Sequence, residues 1–315
     1  MGLPVIFLMG PSASGKTGLA VNLRQRLPLE IISVDSAMVY RGMDIGTAKP
    51  SPEVLLIAPH RLIDICDPSE VYSAARFRED ALHCVQEIHA SGRIPLLVGG
   101  TGLYFRALEQ GLSELPAGHA EVRRRLEAEA GMVGWEVMHA RLAEIDPEAA
   151  RKIHPNDPQR IQRALEVYLL TGRPITEHHR EVLKQKIPYR VIKIIINPAD
   201  RGFLHKQAEQ RFRRMLAAGL VAEVRRLYAR GDLHAGLPAM RLVGYRQVWS
   251  YLAGDLSQEA MTEKAIIATR QLIKRQLTWL RKEKDGSWFD SRDAGSGDKI
   301  LKFIGDQYKS SQFVI

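Results

Sequence analysis

The chain has 315 residues, 45% of them hydrophobic and 26% charged, with a formal net charge of +9. That is enough apolar material for one large core and a satellite, which excludes a small scaffold stapled by disulfides or a structural metal. Cys66 and Cys84 have no CxxC or Cys/His spacing and read as reduced thiols of a cytosolic protein, and no run approaches ~18 apolar residues, so neither a signal peptide nor a membrane span is expected.

The first third alternates short apolar runs with helical patterns: Val5–Met9, Gly15–Leu27, Glu30–Val34, His60–Ile63, Ser73–Ala90, Ile94–Val98 and Gly102–Gln110. This strand–helix rhythm predicts a parallel α/β sheet, and Ser73 and Gly92 punctuate the third helix as cap and stop. From Glu114 to Lys186 the spacing becomes wholly helical, with Asp157-Pro158 opening Gln159–Leu170 and Gly172-Arg173-Pro174 closing it. The β-branched run Tyr189–Ile196 returns the chain to the sheet, and helices fill the remainder to about Lys284. The expected organisation is a discontinuous core of residues 1–113 and 189–290, a helical insertion of residues 114–188, and a loosely ordered Gly/Ser/Asp-rich tail of residues 291–315 that ends in a short apolar stretch. Residues 1–113 carry 10 Lys plus Arg against 11 Asp plus Glu, whereas residues 114–315 carry 35 against 25. Excess positive charge confined to the later two-thirds points to a polyanion larger than one nucleotide, although solvated helix faces have the same composition.

Gly10-Pro11-Ser12-Ala13-Ser14-Gly15-Lys16-Thr17 matches GxxxxGK[ST] and stands between a strand and a helix, the context that the phosphate-loop motif requires. Its glycines let backbone N–H groups and a helix N-terminus surround an anion; Lys16 adds charge and Thr17 a hydroxyl for Mg²⁺. The loop alone leaves open whether its diphosphate belongs to a nucleotide or to another pyrophosphate ester. Asp35, at the carboxyl end of the second strand, lies where ligands gather in open α/β sheets and can serve Mg²⁺ or accept a proton. Ser36 and the glycine-containing stretch Tyr40–Pro50 follow it, and Gly99-Gly100-Thr101-Gly102 makes a further turn after Ile94–Val98.

In order along the chain, Gly10–Thr17, Ser33-Val34-Asp35-Ser36, Tyr40–Pro50 and Gly99–Tyr104 resemble signatures of the tRNA dimethylallyltransferases, also called tRNA isopentenyltransferases. So do Asp157–Arg163, Gly244-Tyr245-Arg246 and Lys274–Trp279, so the resemblance runs nearly the whole chain to Trp279. The one local departure is Ala37-Met38, near which a Gln is more usual. The resemblance implies a phosphate-loop α/β core with a helical insertion, and transfer of a dimethylallyl group from dimethylallyl diphosphate to N6 of adenosine 37 of tRNA, with Mg²⁺. It implies Gly10, Ser12, Ala13, Ser14, Gly15, Lys16, Thr17 and Arg211 at the diphosphate, Thr17 also at the metal, and Asp35, Thr17 and Arg211 as catalytic residues. On the RNA side it implies Asp35, Ser36, Ala37, Met38 and Thr101, then Arg123, Gln159, Arg160, Ile161, Gln162 and Arg163. It adds Met240, Arg241, Leu242, Val243, Gly244 and Tyr245, together with Ile273, Lys274, Arg275, Gln276, Leu277, Thr278, Trp279 and Leu280. By pattern alone Trp279 reads as core and Arg211, beside Arg213 and Arg214, as a basic helix face. The adenine amine is a weak nucleophile, so a base is needed, and Asp35 is the candidate. The target base must also be extruded from its stack. A cytoplasmic monomer is expected, with an insertion that clasps the anticodon stem-loop and a cleft that admits the two substrates from opposite sides. Two rivals share the phosphate loop: a kinase of a small nucleotide or metabolite, and a nucleic-acid binding module whose loop is a relic or a switch.

Overall fold

The computed structural model describes residues 4–113, 115–180 and 186–309. Six strands, β1 (Pro4–Met9), β2 (Leu29–Val34), β3 (His60–Arg61), β4 (Ile94–Gly99), β5 (Arg190–Ile196) and β6 (Ser287–Phe289), form one sheet in the order β3-β2-β4-β1-β5-β6, and each pair is parallel. The strands are near-continuous apolar runs because both faces are covered, as parallel sheets require. Residues Val5–Met9, in the centre, are 0% exposed. The helices are α1 (Lys16–Arg26), α2 (Pro52–Ile57), α3 (Ala74–Ala90), α4 (Gly102–Gln110), α5 (Ala120–Val133), α6 (Trp135–Ile145) and α7 (Pro147–Lys152). They continue with α8 (Pro158–Thr171), α9 (Ile175–Arg180), α10 (Arg201–Ala217), α11 (Leu220–Tyr228), α12 (Tyr245–Leu252), α13 (Gln258–Leu280) and α14 (Ser296–Lys309).

The chain divides into two compact units, Met1–Leu108 with Pro188–Ile315, and Glu109–Ile187. In the first, Ala20 and Leu23 of α1 pack with Ile6, Leu8, Ile31, Leu96 and Ile194 of the sheet. Ile300, Ile304 and Tyr308 of α14 join that cluster, and Arg190 donates to the Gln307 carbonyl at 2.9 Å. The expectation of a loose tail is therefore corrected for residues 296–309: the period of Ile300, Ile304 and Tyr308 gives α14 an apolar stripe that the sheet buries. The apolar stretch ending at Ile315 lies outside the described residues, as does Glu114, where the insertion was expected to begin.

The second unit is all helical around Leu126, Met138, Leu142, Ile161 and Leu165. Asp146 caps α7 at Ala149 N, 2.9 Å, and also accepts from Thr176 N and Oγ1 at 3.0 and 2.9 Å, which ties α7 to α9. Asp157 caps α8 through Arg160 N at 3.2 Å, and Gly172 closes that helix at φ 71°, both as the sequence indicates. Among the described residues no helix is long and apolar enough to cross a membrane.

Candidate functional site

The loop between β1 and α1 lies at the carboxyl end of the central strand. Ala13 and Gly15 adopt φ 66° and 86°, and alternation into the left-handed region turns successive N–H groups to one side, the concave form that binds anions. Ser14, 3% exposed, has a hydroxyl with no hydrogen-bond partner among the described residues. Lys16 Nζ folds back onto the Gly10 and Pro11 carbonyls at 2.9 and 2.7 Å. Burial pushes the Lys16 ammonium down to about 7; Asp35 opposes that shift and Arg211 adds to it. A buried hydroxyl without a protein partner beside a buried lysine suits a cradle for an anion.

Two cavities meet here. One of about 270 Å³ is lined by Ser12, Ala13, Ser14, Gly15, Lys16 and Thr17, with Asp35, Met38, Gln207, Arg211 and Arg214 opposite. The other, about 480 Å³, is lined by Ser12, Ala13, Asp35, Ser36, Ala37, Thr101 and Arg211, and by Arg241, Leu242, Val243, Tyr245, Arg275, Gln276 and Trp279. Asp35 and Arg211 line both. Asp35 Oδ1 accepts from Ala37 N at 2.8 Å and Met38 N at 3.4 Å, which fixes the carboxylate at the strand end. Thr101 Oγ1 accepts from Ser36 N at 3.2 Å and so braces the same turn. Arg211 is held by the Thr47 carbonyl at 3.4 Å, and burial lowers its guanidinium pKa, with Asp35 opposing.

Helix α13 forms a wall of the larger cavity. Gln276 accepts from Ser12 N at 2.8 Å and donates to the Gly100 carbonyl at 3.2 Å, joining the phosphate loop to the second glycine turn. The Trp279 ring lies against Gly102, where any Cβ would collide with the indole, and stacks on Phe105 with centroids 6.0 Å apart. That packing is why the turn after β4 needs glycine.

The structure does not gather every residue that the resemblance implied. Ile273 and Leu277 are 1% and 5% exposed and pack with Leu204 and Ala208 between α13 and α10; Met240 and Leu280 are core at 0% and 1%. Ile161 is 0% exposed within the second unit. These five side chains are corrected from RNA contacts to packing: they share a segment with exposed cations but occupy the apolar stripe of it. Lys274 and Thr278 are exposed on α13, and Gly244 is buried ahead of α12. In the second unit Gln159 and Arg160 are exposed, and Gln162 donates to the Arg123 carbonyl at 3.1 Å. Arg123 and Arg163 pair with the fully buried Glu166 at 2.8 and 2.6 Å, so both guanidiniums already have a carboxylate.

Glu223 escaped sequence reasoning altogether. It is 1% exposed and accepts from the backbone of Asp44, Ile45 and Gly46 at 2.9, 2.8 and 3.2 Å and from Tyr245 Oη at 2.6 Å. It anchors the Tyr40–Pro50 stretch that supplies the Thr47 carbonyl to Arg211. Nothing in its local pattern distinguishes it from an ordinary acidic residue in the first turn of α11.

For a divalent cation, no group of three or more His, Cys, Asp or Glu is arranged to hold one among the described residues. The oxygen-bearing side chains that line the smaller cavity are Ser12, Ser14, Thr17, Asp35 and Gln207, of which Thr17 holds the metal position of the phosphate-loop motif. This set fits Mg²⁺ held by Thr17, water and the ligand's own phosphate oxygens, the usual arrangement for that ion.

A family model described as IPP transferase matches residues 38–283. A tRNA dimethylallyltransferase of Thioalkalivibrio sulfidiphilus is 64% identical over 281 residues, covering 89% of this chain and 88% of that one. The crystal structure of the tRNA isopentenylpyrophosphate transferase of Bacillus halodurans superposes with a TM-score of 0.72 at 36% identity, covering 98% of both chains. Snapshots of a eukaryotic dimethylallyltransferase acting on tRNA give a TM-score of 0.79 at 26% identity, covering 99% of this chain and 81% of that one. None of these is a kinase. A phosphate loop set in this fold, with motifs matched across most of its length, makes the chain a member of the IPP transferase family.

Proposed function

We propose that the protein transfers the dimethylallyl group of dimethylallyl diphosphate to N6 of adenosine 37 in tRNA and releases diphosphate. The observation that carries this reading is that Asp35 and Arg211 line both the phosphate cavity and the larger cleft, which leaves one place where donor and acceptor can meet. The allylic diphosphate enters the smaller cavity, where the loop N–H groups, Lys16 and Arg211 receive it. Thr17 is the residue that would hold Mg²⁺, which when bound neutralises charge on the leaving diphosphate. The extruded adenine occupies the cleft beside Thr101 and Trp279, with the exposed Arg241 and Arg275 at the RNA backbone. The N6 lone pair forms a bond to the allylic carbon as the carbon–oxygen bond breaks; the bonding pair leaves with the diphosphate, and Asp35 takes the N6 proton. Every cleft residue belongs to one compact unit of one chain, which supports action as a monomer, and two unpaired buried cysteines support a cytoplasmic setting.

The test is to incubate the protein with unmodified anticodon stem-loop RNA, Mg²⁺ and dimethylallyl diphosphate, digest the RNA and weigh its nucleosides. A dimethylallyl increment on the adenosine 3′ of the anticodon is expected. No increment, with RNA-independent phosphotransfer from ATP instead, overturns the reading in favour of a kinase.

A further inference from the structure

We infer that Arg214 is a second arginine of the donor site, binding the terminal phosphate of the allylic diphosphate while Arg211 takes the phosphate next to the bond that breaks. This rests on the proposed function. Gln207, Arg211 and Arg214 are spaced i, i+4 and i+7 along α10 and so share one face, and all three line the phosphate cavity. Ala208, Phe212 and Met215 form the adjacent face and line the larger cleft. Arg211 lies where the two faces meet. Arg214 reaches only the phosphate cavity, so it is farther from the junction at which the allylic carbon must meet N6.

Its surroundings fit that role. Among the described residues the Arg214 side chain makes one hydrogen bond, from Nε to the Gln210 carbonyl at 3.4 Å, and no carboxylate lies within ion-pair distance. The neighbouring Arg213 points elsewhere and pairs with Glu209 at 3.0 Å. Arg214, exposed, lines the same cavity one helical turn from Arg211, and its charge adds to the lowering of Arg211 that burial begins. Two guanidiniums of like charge on one face of a helix repel, and a diphosphate that spans both converts that repulsion into two charge-assisted contacts.

The probes are inorganic diphosphate, orthophosphate and dimethylallyl diphosphate, tested on the wild type and on Arg214→Ala, Arg214→Lys and Arg211→Lys. In Arg214→Ala, affinity for inorganic diphosphate and donor KM are expected to worsen by about ten- to a hundredfold, while affinity for orthophosphate and for the RNA stem-loop changes by less than about twofold. Turnover at saturating donor is expected to stay within about threefold of wild type, whereas Arg211→Lys loses turnover as well. Arg214→Lys recovers part of the lost affinity, because a lysine keeps the charge without the fork. Unchanged diphosphate affinity in Arg214→Ala, or loss of orthophosphate and diphosphate binding in equal measure, overturns the assignment. If the wild type itself transfers no prenyl group, the proposed function falls with it; if the wild type is active and Arg214→Ala equals it, only the role of Arg214 falls.

Discussion

The Tyr245 hydroxyl donates to Glu223 at 2.6 Å beneath the loop whose Thr47 carbonyl receives Arg211. A buried carboxylate from α11, a phenol from α12 and three loop amides thus meet at one point, and the loop they fix sets where a cationic side chain stands in the site. Glu223→Gln replaces one accepting oxygen with an NH₂ that faces backbone N–H groups, an arrangement that costs about 1–3 kcal/mol. Single-turnover prenyl transfer is expected to slow by about tenfold with RNA affinity within about twofold, and Tyr245→Phe by less. A Glu223→Gln rate equal to wild type would refute a positioning role.

Asp35→Asn keeps an oxygen for the Ala37 and Met38 amides but removes the base. Transfer is expected to fall by about 10²–10⁴, with RNA and diphosphate affinities little changed. A normal rate in this variant removes Asp35 from proton transfer.

Lys16 is held down to about 7 by burial, and a bound diphosphate must raise it. Between the free and bound values the complex holds one proton more than the free protein, so affinity is greatest at low pH and falls as pH rises. From about pH 7.5 to 9, above the last ionisation of the donor, affinity should drop by up to about tenfold per pH unit, with proton uptake visible by calorimetry in buffers of different ionisation enthalpy. Lys16→Met should flatten the profile. A pH-independent wild type over that interval would contradict the linkage.

Arg160 is exposed at the first turn of α8, its only carboxylate among the described residues being Asp157 at 3.3 Å. Arg160→Ala should weaken binding of the anticodon stem-loop across sequences and lower the slope of log K against log salt by about one. An unchanged salt slope would take Arg160 off the RNA backbone.

The residues legible in the sequence were those whose chemistry depends on local backbone form. Gly10–Thr17 needs its glycines for the loop itself, and Asp35 is marked by the strand that precedes it. Core strands announced themselves as apolar runs, but β6, with three residues, and α14, behind a Gly/Ser-rich stretch, gave little signal. Glu223 was hidden, and the brace that Gln276 makes was not foreseen although the resemblance named that residue, because their partners, the 44–46 amides and the Ser12 and Gly100 backbone, lie over a hundred residues away in sequence. Ile273, Leu277 and Leu280 carried a usable signal in their i, i+4, i+7 spacing, which marks a buried stripe inside a basic segment. Trp279 is both things at once: packed on Phe105 as its spacing suggests, and half-open to the cleft.

The position of β1 also constrains how the chain is made. The strand precedes the other five in the chain, yet its partners are β4 on one edge and β5 on the other. The second edge stays unpaired until Ile196 emerges, after the whole of the helical unit has been translated. At ordinary elongation rates the interval between the two pairings is on the order of ten seconds. Through it a fully apolar strand with a bare row of amides and carbonyls is exposed on the nascent chain, so chaperone demand should peak in the interval between synthesis of β4 and of β5.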